Sequence, residues 1–125
     1  MFDEEQRVSF PLTEQAPSWA RHWFSDHGPI PVGLHDRVVL LLSELVANSV
    51  RHSGLSTPDE VEVSVRQIPE GFHVEVVDHG VGIQSTTPAR PDEHFGLRFV
   101  DAVADRWGYS SGPTHVWFDV TGDEM

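Results

Sequence analysis

Three residues recur at intervals of four within "LLSELVANSVRHSG" (41–54): Glu44, Asn48 and His52. Such spacing places an acid, an amide and an imidazole in one shallow row along a helix. Leu41, Leu42, Leu45, Val46 and Val50 fill the neighbouring rows, so Glu44 and Asn48 are expected at the edge of a buried face. A carboxylate at such an edge is costly without a partner or a task. A second motif, "DHGVGI" (78–83), places Asp78 where a strand should end, with Gly80 and Gly82 behind it. Glycines let a backbone pass close to a ligand, and an aspartate there can accept a hydrogen bond from an amino group. In a third, "EHFGLRFV" (93–100), Gly96 stands where a loop becomes a helix, and free N–H groups at such a point suit phosphate. Each motif alone also fits a plainer reading: a solvated stripe, a turn, a helix start with no ligand.

The elements that must hold these residues are legible from pattern. "RVSFPL" (7–12) is a short strand closed by Pro11. "APSWARHWFSDHG" (16–28) is a helix with Pro17 in its first turn and Gly28 at its end. After the turn-rich "GPIPVG" comes the central helix, from Leu34 to about His52, with Gly54 as its stop. "VEVSVRQI" (61–68), "PEG" (69–71) and "FHVEVVD" (72–78) form a hairpin. Residues 79–94 read as a long loop, "FGLRFVDAVADRWG" (95–108) as a helix, and "THVWFDV" (114–120) as the last strand. The expected fold class is α+β, a two-layer sandwich. It has a mixed, mostly antiparallel sheet of about four to five strands and three helices on one face.

Composition narrows the functions. A length of 125 residues fits one domain, 1–125, large enough to bury a core. With no cysteine there is neither a disulfide framework nor a thiolate metal site, which fits a cytoplasmic protein. The net charge of −12, with every basic side chain an arginine, argues against direct binding to nucleic acid or anionic lipid. No apolar run is long enough to span a membrane.

The order helix box, strand-end Asp-Gly box, loop and Gly-led helix resembles the GHKL, or Bergerat-fold, ATPase superfamily. The resemblance extends over nearly the whole chain. It is greatest to the small branch of anti-sigma factor serine/threonine kinases. "SELVANSVRHSG" is similar to that branch's asparagine box, "VVDHGVGI" to its first glycine box, "FGLRFVDAVADRWG" to its second, and "HVWFDV" to its closing strand. The resemblance implies ATP and Mg²⁺ as cofactors, with Glu44 as general base and Asn48 as the Mg²⁺ ligand. It implies that Asp78 reads the adenine amino group and that Gly80, Gly82 and Ile83 pass beneath the nucleotide. Gly96 and the N–H groups after it, from Leu97 on, would receive phosphate, with His94 and Phe95 also among the nucleotide-binding residues; of the available arginines, Arg51, Arg90 and Arg98, Arg90 of the loop would reach the terminal phosphate. His52 would cap the central helix. The implied partners are an anti-anti-sigma (STAS-like) protein, whose serine accepts the phosphoryl group, and a sigma factor. A homodimer is also implied. A two-component histidine kinase is not expected, since 125 residues leave no room for its phosphoacceptor domain.

Two departures from the family pattern stand out. The second glycine box usually reads G-x-G-L, and His94 replaces its first glycine. The imidazole there either donates a hydrogen bond to phosphate or weakens the lid's approach. A lysine commonly precedes the last strand, where this chain has Thr114 and His115. Two alternatives to the kinase therefore stand beside it: a non-catalytic nucleotide-dependent switch, and an interaction module without nucleotide.

Overall fold

The computed structural model describes residues 4–52, 59–78, 97–111 and 114–122. The elements run β1 (Gln6–Pro11), α1 (Ala16–Ser25), α2 (Val32–His52), β2 (Glu60–Ile68), β3 (Gly71–Val77), α3 (Leu97–Val103), β4 (Arg106–Ser111) and β5 (Thr114–Thr121). The five strands form one sheet in the order β1-β2-β3-β5-β4. Every pairing is antiparallel, so the expected mostly antiparallel sheet contains no parallel pair among the described residues.

Alternation builds the core. Val61, Val63 and Val65 of β2, Val74 and Val76 of β3, and Val116, Phe118 and Val120 of β5 point to one side and are buried. Val38, Leu41, Leu42, Leu45 and Val46 of α2 meet them, with Ala16, Ala20 and Phe24 of α1 and Leu97 and Val100 of α3. All three helices thus serve one face. Phe24 meets Phe72 edge-to-face at 5.4 Å between ring centroids.

The hairpin between β2 and β3 turns at Glu70, which takes a positive φ of 66°. Gly71 answers a different need. A Cβ there would lie 1.9 Å from the Val120 carbonyl oxygen, so this residue must be bare for β5 to approach. At the far edge, Arg37 of α2 donates to the carbonyls of Val103 and Thr121. Asp105 accepts from the Thr121 backbone N–H at 2.7 Å and from its hydroxyl at 3.1 Å. This clamp ties the end of α3 to α2 and β5.

Two expectations are corrected. The helix read over 95–108 ends at Val103, and residues 106–111 form a fifth strand. Trp107 follows Val103 by four residues and so mimics helical spacing, but the open edge of β5 takes residues 106–111 as partner. The central helix starts at Val32, two residues before the expected Leu34. Gly54, its expected stop, lies outside the described residues.

The other face of the sheet carries a polar network. His73 Nδ1 lies 2.6 Å from Asp119 Oδ1, and its Nε2 lies 2.7 Å from Glu75 Oε2. His115 Nε2 contacts Glu75 Oε1 at 2.8 Å, and Arg106 Nε donates to Asp119 Oδ2 at 3.0 Å. The Trp117 ring stacks on His73 and covers Gly108, where a Cβ would lie 2.6 Å from the indole nitrogen. Burial alone would raise the Glu75 carboxyl, but the hydrogen bonds and charge of His73 and His115 outweigh it and hold it below the ordinary range. Asp105 is lowered in the same way. Burial again opposes the shift, and the Thr121 hydrogen bonds and the Arg37 charge prevail.

A carboxyl lowered in the fold binds its proton more weakly there than in the unfolded chain. Its stabilisation is therefore complete above the ordinary value of about 4, and it is lost as pH falls through the lowered one. The melting temperature of Glu75→Gln/Asp105→Asn should accordingly fall less than that of the wild type between about pH 5 and pH 3. Thermal unfolding followed across that range checks this, and equal slopes would refute it. The effect is small, because both carboxylates keep contact with solvent, which screens their partners.

Candidate nucleotide-binding site

The site is built on α2 and on the residue that follows β3. Apolar rows bury α2 on one side, which sets the polar row Glu44–Asn48 at the margin of the core. Asn48 is itself buried, at 4% exposure, whereas the Glu44 side chain keeps 32%. Arg51, one turn on and half-exposed, closes the row. Its Nη2 donates to Asn48 Oδ1 at 2.5 Å and lies 3.6 Å from Glu44 Oε2. Asp78 is 1% exposed and sits immediately beyond the end of β3. The Ser49 hydroxyl donates to Asp78 Oδ2 at 2.6 Å, which draws Asp78 against α2 next to Asn48. Asn48 and Asp78, 30 positions apart in sequence, thus come to lie on adjoining elements.

Asn48 Nδ2 is buried and has no hydrogen-bond partner among the described residues. An orphaned amide N–H of this kind costs roughly 1–3 kcal/mol and calls for an acceptor. The donors fit a Mg·nucleotide. Asn48 Oδ1 is a hard oxygen donor, and an oxygen of a phosphate would satisfy the orphaned N–H. Among the described residues no group of three or more His, Asp or Glu side chains is arranged to hold a metal. Mg²⁺ held by one or two protein oxygens, phosphates and water needs no such group.

Other expected site residues fall differently. Leu97 opens α3, but its side chain is fully buried in the core, so packing is its visible role. Arg98 is exposed on the same helix. His115 is engaged with Glu75 on the face of the sheet away from α2, so it does not replace a lysine at the site. His52 is the last residue of α2, where the expected cap would sit. Gly80, Gly82, Ile83, Arg90, His94, Phe95 and Gly96 lie outside the described residues. Sequence reasoning passed over Ser49, and its only signal was adjacency to Asn48.

A family model described as the histidine kinase-like ATPase domain matches residues 11–120. The chain belongs to that family. Its fold is similar to that in the crystal structure of the RsbU and RsbW domains of Rv1364c from Mycobacterium tuberculosis. The TM-score is 0.69 and the identity 18% over 94% of this chain. The chain spans only 32% of that solved chain, so the likeness establishes architecture. No curated protein matches the sequence. Membership of an ATPase family implies a nucleotide as the ligand class.

Proposed function

We propose that the chain is an ATP-dependent regulatory kinase of the anti-sigma type. It transfers the γ-phosphoryl group of ATP to a serine of an anti-anti-sigma (STAS-like) protein, and it sequesters a sigma factor. The observation that carries this reading is the α2 row. A part-exposed carboxylate, Glu44, lies one turn from a buried amide, Asn48, whose N–H lacks a partner among the described residues, with Asp78 brought alongside through Ser49.

In the reaction, Asp78 accepts a hydrogen bond from the adenine amino group and so fixes the base. Asn48 meets the phosphate end. Mg²⁺, when bound, supplies charge neutralisation to the phosphates. Glu44 takes the proton of the serine hydroxyl as its oxygen bonds to the γ-phosphorus and the bond to the β-phosphate oxygen breaks, leaving ADP. Phosphoryl transfer asks mainly for position and charge, so a small group of residues suffices. The exposure of Glu44 leaves its carboxylate open to a hydroxyl arriving on a second protein. A homodimer and a cytoplasmic setting belong to the same proposal. Among the described residues no helix is long and apolar enough to cross a membrane.

Calorimetry with ATP and ADP, with and without Mg²⁺, tests the binding half. ATP binding should strengthen with Mg²⁺, and Asn48→Ala should lose about tenfold in Mg·ATP affinity, the order expected for one contact to a charged group. Transfer of radiolabelled phosphate from ATP to a STAS-like protein tests the other half. Tight ATP binding with neither transfer nor hydrolysis would select the non-catalytic switch instead, a reading that His94 in place of the first glycine of the second glycine box favours.

A further inference from the structure

Asn48 and Ser49 are consecutive on α2, so their side chains leave the helix about 100° apart. Asn48 carries the orphaned amide, while Ser49 reaches a different part of the site. Serine within a helix commonly returns its hydroxyl proton to the carbonyl one turn back. The Ser49 hydroxyl donates instead to Asp78 Oδ2, across 29 residues of sequence and at 2.6 Å. Donor and acceptor are both buried, at 6% and 1% exposure. A short bond from a hydroxyl to a carboxylate in such a setting is among the stronger hydrogen bonds in proteins. Asp78 is the first residue after β3, past the last ladder pairing that would hold its backbone, so the orientation of its carboxylate depends on such contacts.

We propose that Ser49 is a positioning residue for base recognition. It fixes the Asp78 carboxylate in the orientation that accepts the 6-amino group of adenine, and so sets the preference for adenine nucleotides. The inference rests on the nucleotide-binding reading above and assigns to Ser49 a role within it. Because α2 supplies both Asn48 and Ser49, one rigid helix sets the phosphate end and the base end in register.

The test compares ATP with purine riboside triphosphate, which lacks the 6-amino group, by calorimetry in Mg²⁺. The variants are Ser49→Ala, Ser49→Cys, Asp78→Asn and the Ser49→Ala/Asp78→Asn pair. Ser49→Ala should weaken ATP about tenfold and leave the analogue within about twofold, as expected for loss of one hydrogen bond to a charged group. In the Asp78→Asn background Ser49→Ala should change ATP affinity by less than about twofold, since its effect runs through Asp78. Ser49→Cys, close in size with a weaker donor, should fall between wild type and Ser49→Ala. Equal weakening of both nucleotides, or an undiminished loss in the double variant, would overturn the role of Ser49. So would a folded Ser49→Cys or Ser49→Ala protein that binds ATP as the wild type does. A wild type that prefers ATP, with that preference removed by Asp78→Asn but not by Ser49→Ala, keeps the base-reading role of Asp78 and removes the inference. A wild type that binds ATP no better than the analogue removes both.

Discussion

Glu44→Ala should slow phosphoryl transfer by about 10²–10⁴-fold, the usual contribution of a positioned general base, while ATP affinity stays within about threefold. The separation follows from where the side chain stands. Asn48 is buried and carries the orphaned N–H, so it is placed to hold ligand. Glu44 is one turn away and part-exposed, so it is placed to meet what arrives from outside. Loss of its carboxylate leaves Arg51 bonded to Asn48, so the binding row survives. Single-turnover transfer from radiolabelled ATP to a STAS-like protein, with parallel calorimetry, resolves the two effects. Glu44→Gln keeps the shape without the basic oxygen and should be nearly as slow. Unchanged transfer would mean that position and charge alone carry the chemistry. Loss of ATP binding together with transfer would make Glu44 a structural residue.

The site was partly legible because part of it is local. The interval of four between Glu44 and Asn48 is a property of one helix, and the apolar rows around it reveal which side is buried. The β2–β3 hairpin was legible for the same reason, since alternation within each strand needs only neighbours. What depends on distant contacts was hidden. Gly71 looks like a turn residue, yet Glu70 takes the positive φ and Gly71 is bare because β5 passes against it. Trp107 continues a helical spacing from Val103, yet its strand pairs with β5 and places it opposite Phe118. Ser49 carries no motif of its own. Its role exists only because β3 delivers Asp78 to the side of α2. Likewise His115 and Glu75, 40 residues apart, meet across paired strands that no local pattern announces.

Phe118→Ala should destabilise the fold by about 3–5 kcal/mol, the cost of removing a fully buried phenylalanine. That is a large share of the 5–15 kcal/mol typical of a domain. Phe118 lies on β5, inside the sheet, with Val74 of β3 on one side and Trp107 of β4 on the other. The same strand pair continues to Val77 and His115, next to Asp78. A cavity at Phe118 therefore loosens the support of Asp78, the proposed base-reading residue, without touching it directly. Mg·ATP, binding the native state alone, should return part of the loss. At a concentration 100 times the dissociation constant the return is about 2.7 kcal/mol. Urea unfolding of Phe118→Ala with and without Mg·ATP measures both quantities. A midpoint near that of the wild type would show that β5 does not carry the core. A large loss that Mg·ATP fails to offset, in a protein whose wild type is stabilised by it, would show that the cavity reaches Asp78 and that core and site are mechanically one.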